Sequence, residues 1–125
     1  VSTTPVTLHR LPGISHLNDA IEVLACGAPG NGGAHFMYTL GHKSPSGDAV
    51  ACLKFQQGDP AAEINGLSNE ALLAVLLHRM AGFQSGPFKC RDNAIIITHL
   101  EDAMLRMNRR TIERHGRGVL GQLTP

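Results

Sequence analysis

The sequence predicts an α+β fold, a small N-terminal antiparallel meander followed by a C-terminal two-helix hairpin with one long helix. Three observations predict it. Short β-prone runs separated by glycine- and proline-rich turns fill residues 1–58. Apolar residues recur at three- and four-residue steps through 67–118. Inside that span AGFQSGPFKCRDN (81–93) interrupts the helical period with Gly82 and Gly86-Pro87, as a turn between two helices does. At 125 residues the chain is expected to form one domain, with 1–58 its sheet part and 67–118 its hairpin.

Val6 to Leu11 reads as a short extended segment ending at Pro12-Gly13. Ala20 to Leu24 is β-prone with partial alternation. The run CGAPGNGG (26–33) contains Asn31-Gly32, a strong hairpin signal, and His35 to Leu40 reads as the strand that follows. A phosphate-binding loop would need a Gly-Lys-Ser/Thr ending and a helix after it, and here a strand follows. The glycines still allow close approach of a ligand. Ser44 to Asp48 reads as a turn and Ala49 to Gln56 as a further strand.

Residues 58–66, with Pro60, read as an irregular connection. Ser68 then suits an N-cap, with Glu70 favoured in the first turn. Leu72, Leu73, Leu76, Leu77, Met80 and Phe83 predict an amphipathic first helix of three to four turns. A second helix is expected from near Pro87 to about His115, ended by Gly116 and Gly118. Asn93, Ile97, Leu100, Met104, Met107 and Thr111 share one stripe of it, facing the first helix or another subunit. Arg106, Arg110 and Arg114 lie on the neighbouring stripe.

Composition narrows the chemistry. There is no Trp, one Tyr and four Phe, so the core must be mostly aliphatic. The three cysteines are far apart and odd in number, which suits a reducing cytosol and small buried hydrophobes rather than a disulfide framework. No run is long and apolar enough to span a bilayer, and the start shows no secretory pattern. A cytosolic setting is therefore expected. The formal charge is +1, but residues 1–66 hold three cations against five acids and 67–125 eight against five, a split of −2 and +3. That is weak for coating a nucleic-acid polymer and suited to a small anionic ligand.

The turn itself carries two rings (Phe83, Phe88), two cations (Lys89, Arg91) and an amide (Asn93). It reads first as a helix connection with one ring tucked into the core. The same mix also suits a nucleotide, because rings stack on bases, cations pair with phosphates and amides read base edges. The arginines divide in the same way. Asp102 with Arg106 and Arg109 with Glu113 have helix-pair spacing. Arg110 and Arg114 instead have arginines four residues before them, a repulsion that a bound anion would offset. Catalytic and metal patterns are missing: there is no His-Glu-x-x-His, no Cys-x-x-Cys, no Gly-x-Ser-x-Gly, and His42-Lys43-Ser44 is the sole His-x-Ser/Thr triplet. The residues favour binding over turnover, with no metal or cofactor.

Residues 65–121 resemble the helical hairpin shared by two groups of phage proteins, the Thoeris anti-defence sponges and the anti-CBASS cyclic-oligonucleotide sponges. The marks are Asn69-Glu70-Ala71-Leu72-Leu73, the run Gly82 to Phe88, Cys90-Arg91, Asn93-Ala94, Arg110-Thr111, Arg114 and Arg117-Gly118-Val119. The upstream sheet, with residues 26–38 and Phe55-Gln56-Gln57-Gly58, resembles the larger, Thoeris-type member. Asp92, where the pattern favours Glu, and the polar His78-Arg79-Met80 are departures. The resemblance implies a non-enzymatic sponge that sequesters cyclic ADP-ribose isomers such as glycocyclic ADP-ribose, and cyclic di- or trinucleotides. It also implies homo-oligomers, dimers that assemble into hexamers. By carry-over, Phe83 and Arg110 sandwich the adenine, Asn93 hydrogen-bonds the ligand, and Arg91 and Arg109 serve phosphate or ribose. Gly86, Arg114 and His35 complete the expected set. A small nucleic-acid-binding protein, an enzyme cleaving such signals and a purely structural module remain the alternatives.

Overall fold

A computed structural model of the chain describes residues 3–8, 16–43, 49–122, 124 and 125. The chain is α+β and falls into two compact units, Val1–Gln57 and Gly58–Pro125.

The first unit is a four-stranded sheet: β1 (Thr3–Pro5), β2 (Ile21–Cys26), β3 (Met37–His42) and β4 (Ala49–Lys54), with a short helix α1 (His16–Ala20) leading into β2. The strand order is β1-β2-β3-β4 and every neighbouring pair is antiparallel, which is the expected meander. Val23 lies opposite Leu40 and Tyr38 opposite Leu53, and the register shifts between Leu40 and Gly41. The first strand begins earlier than expected, although Val6 continues the ladder by donating its N–H to the Val23 carbonyl at 2.9 Å. Helix α1 has no counterpart in the sequence reading. Residues 9–15, with Pro12-Gly13, and the Ser44–Asp48 turn lie outside the described residues.

Asn31-Gly32 does form the tip of the β2–β3 connection. Gly33 donates to the Gly30 carbonyl (2.9 Å), and Gly30 donates to the Ala34 carbonyl (2.8 Å). This is the bonding of a three-residue hairpin loop, and Gly33, at φ 94°, supplies its left-handed position. His35 and Phe36 therefore precede β3 rather than open it. Ala25, 4% exposed, is the buried apolar side chain among the described residues of the sheet, in register with Tyr38. Beside it Tyr38 meets Phe55 edge-on at 5.8 Å. The expectation of buried cysteines holds poorly. Cys26 is half-buried, but Cys52 sits on edge strand β4, Cys90 sits in a loop, and both are exposed.

The second unit is the helical hairpin, α2 (Asn69–Gln84) packed on α3 (Arg91–Gly116). Ser68 caps α2 as expected, its Oγ accepting the Ala71 N–H at 3.2 Å. Helix α3 starts at Arg91, not near Pro87, because residues 85–90 are spent turning the chain. Its half-buried positions include Asn93, Ile97, Leu100, Met104, Met107 and Thr111, the predicted stripe. Since the single chain already half-covers that stripe, Ile95, Ile96, Leu105 and Ile112 are the large apolar side chains that α3 leaves exposed. On α2 the half-buried face runs through Leu73, Leu77, Met80 and Gln84. Leu76 and Phe83 share the adjacent face and are exposed, so they do not belong to the core stripe as predicted.

Candidate functional site

The turn between α2 and α3 is built by side chains gripping main chain. Gln84 Oε1 accepts the Cys90 N–H at 3.1 Å, and Ser85 Oγ donates to the Gly82 carbonyl at 3.1 Å. Asn93 reaches back from the first turn of α3, Nδ2 donating to the Phe88 carbonyl at 3.0 Å. One donor of this amide thus holds the loop, while the amide oxygen keeps its accepting capacity toward a ligand.

Neither ring of the turn enters a core. Phe83 is 42% exposed and Phe88 73%. Arg79, one helical turn before Phe83, places its guanidinium 5.6 Å from the Phe83 ring centroid. A ring with one face over a cation and substantial exposure is a stacking platform. Arg79 was absent from the expected site set. The signal for it was legible, since an arginine four residues before an aromatic shares its face on a helix. Arg91 opens α3 and is exposed, as are Lys89 and Phe88 beside it. The Cys90 side chain makes no cap. An uncapped helix start flanked by cations suits a phosphate, with Asp92 as the opposing charge.

The structure brings Phe83, Gly86, Arg91 and Asn93 to one end of the hairpin. It does not bring Arg109 and Arg110 there. Nineteen residues separate Arg91 from Arg110 along α3, about 28 Å at the helical rise. A guanidinium–base–ring sandwich spans about 7 Å, two contact layers. One copy of the hairpin therefore cannot close Phe83 and Arg110 on the same base.

Arg114 has a structural task. Its Nη1 donates to the Pro125 carbonyl at 2.8 Å, and Nη2 donates to the carbonyls of Val119 (2.8 Å) and Gln122 (3.1 Å). Main-chain carbonyls thus offset repulsion within the arginine stripe at this position. Glu113 pairs with Arg117, not with Arg109, and among the described residues no ion pair joins Asp102 to Arg106. Arg109 and Arg110 remain exposed. His35 belongs to the sheet unit, its ring 6.3 Å from Tyr38 and its Nδ1 covered without a hydrogen-bond partner. Among the described residues no three His, Cys, Asp or Glu gather as a metal site would require. No described helix is long and apolar enough to cross a membrane.

Residues 52–111, just under half of the chain, match the family model of the Acb2/Tad1 hairpin domain. "Thoeris anti-defense 1" of Bacillus phage SBSphiJ7 is 46% identical over 74 residues, 58% of this chain and 51% of that protein. The chain spans about half the length of the curated relative it matches. Residues 52–111 are therefore similar to the Acb2/Tad1 hairpin domain.

Proposed function

We propose that this chain is a phage anti-defence sponge, which binds a cyclic nucleotide immune signal and holds it intact. The ligand class is glycocyclic ADP-ribose together with cyclic di- or trinucleotides, and the consequence is silenced Thoeris and CBASS effectors in the bacterial cytosol. The observation that carries the proposal is the exposed Phe83 ring, backed by Arg79 and set beside Asn93 and Arg91 in a hairpin of the Acb2/Tad1 type. The relative's name adds the anti-defence role.

A sponge works by mass action and needs affinity without chemistry. A nanomolar dissociation constant corresponds to about −12 kcal/mol, which a small ligand reaches only in an enclosed, preorganised pocket. The separation of Phe83 from Arg110 supports a pocket closed between two copies. So does the exposed surface. No side chain of α2 or α3 is fully buried. In this arrangement Ile95, Leu105 and Ile112 face another copy.

The test is incubation with glycocyclic ADP-ribose, removal of unbound ligand, heat denaturation and mass spectrometry of what is released. Intact ligand in near-stoichiometric amount is expected, with retention lost in Phe83→Ala. A linear product would make the protein an enzyme. Retention of neither this ligand nor cyclic di- and trinucleotides would refute the proposal, and a gel shift of RNA or DNA at low salt would replace it with polymer binding.

A further inference from the structure

Gly82 has no structural reason to be glycine. It lies inside α2, two residues before the helix ends at Gln84, where glycine is the poorest helix former short of proline. Its φ is not left-handed. A Cβ built on it would meet nothing within 4 Å. Gly121 shows the contrast: its φ is 74° and a Cβ there would lie 2.4 Å from the Asp59 Cα. The carbonyl of Gly82 is already taken by Ser85 Oγ. What remains is open surface over its Cα, next in sequence to the exposed Phe83 ring. Steps of three and four residues put Arg79, Gly82 and Phe83 on one face of α2.

We infer that Arg79, Gly82 and Phe83 form one seat for a purine nucleotide: Arg79 positions the Phe83 ring, the ring takes the base, and Gly82 leaves clearance for the attached sugar and phosphate. The inference rests on the sponge reading and deepens it. The guanidinium occupies one face of the ring, so the base takes the other. A base stacked there carries its ribose and phosphate over the adjoining main chain. A methyl group at position 82 would stand in that path. Arg79 adds a cation beside the ring, which favours an anionic ligand over a neutral one.

The two roles of position 82 give opposite signs in one variant. Gly82→Ala improves helix propensity where nothing obstructs a Cβ, so the melting temperature rises by about 3 °C. If Gly82 clears the ligand, the same variant weakens binding of glycocyclic ADP-ribose and of cyclic di-AMP by tenfold or more in titration calorimetry. Arg79→Ala weakens binding by about three- to tenfold through the loosened ring, and Arg79→Lys recovers part of the loss. Sedimentation of each variant accompanies the titrations. Wild-type affinity in both Gly82→Ala and Arg79→Ala, with binding lost in Phe83→Ala, overturns this inference and leaves the sponge reading intact. An altered oligomer in Gly82→Ala also overturns it, because the clearance then serves a subunit. If the wild-type protein retains no cyclic nucleotide, the sponge reading itself fails.

Discussion

Arg114 and Val119 are bound to each other twice. The Val119 N–H donates to the Arg114 main-chain carbonyl at 3.0 Å, and the Arg114 guanidinium donates to the Val119 carbonyl at 2.8 Å. With Gly118 donating to the His115 carbonyl and taking φ 71°, this is a Schellman end to α3, reinforced by a side chain. The same guanidinium also holds Gln122 and Pro125. Arg114→Met keeps the aliphatic stem and removes every donor. It is expected to cost about 2 kcal/mol, the scale of lost charge-assisted hydrogen bonds. Urea titration measures the loss, and limited proteolysis should find residues 119–125 newly accessible. Unchanged stability and an uncut tail would show that Arg114 is free for another role.

Gly118 and Gly121 separate two reasons for a glycine. Both take a left-handed φ, 71° and 74°. A Cβ on Gly118 meets nothing, whereas one on Gly121 lies 2.6 Å from the Gly58 carbonyl and 2.7 Å from the Asp59 nitrogen. Gly118→Ala should cost about 1 kcal/mol for conformation alone. Gly121→Ala adds a clash with main chain that cannot swing aside, and should cost at least about 1 kcal/mol more. Thermal unfolding of the two variants side by side gives the order. Equal losses would mean that the segment near Gly121 shifts away at little cost.

Much of this architecture was legible in the residues, and the failures have physical causes. Ser68 declared the start of α2 because a short oxygen side chain before an apolar run answers the orphan amides of a helix start. The α3 stripe was legible because 26 residues average out local accidents of periodicity. Phe83 was misplaced because seven-residue spacing from Leu76 keeps both on one face without saying which face is covered. Proline at 87 suggested a helix start, but the turn needed the room, and Gln84, Ser85 and Asn93 bind its main chain over residues 82–90. Spacing records that Arg114 lacks an acid nearby in sequence, but not that the chain folds three carbonyls back onto it. The exposed turn rings were legible as chemistry, and the four-residue step from Arg79 to Phe83 was legible as a shared helix face, but spacing does not say that the guanidinium lies over the ring.

Ser68→Ala removes the oxygen that accepts the Ala71 N–H, and should lower stability by about 1 kcal/mol. Ser68→Asp should restore it, since a carboxylate caps as well and favours the positive helix end. Circular dichroism melts of the three proteins decide. An alanine variant as stable as wild type would mean that the first turn of α2 is held from elsewhere.

The separation of Phe83 from Arg110 predicts how defective subunits behave when mixed. In a symmetric two-copy site each pocket takes Phe83 from one chain and Arg110 from the other. Phe83→Ala alone damages both pockets of a dimer, and so does Arg110→Ala alone. In a mixed dimer the Phe83 of one variant meets the Arg110 of the other, which rebuilds one sound pocket and leaves one doubly defective. Random assembly of equal amounts makes half the dimers mixed, so about a quarter of wild-type capacity should return. The measurement is the amount of glycocyclic ADP-ribose retained after co-expression, against each variant alone. A pocket built within one chain would give no recovery at all, because no subunit then carries both groups. Recovery on co-expression, with none on mixing the purified variants briefly, would add that the subunits exchange slowly.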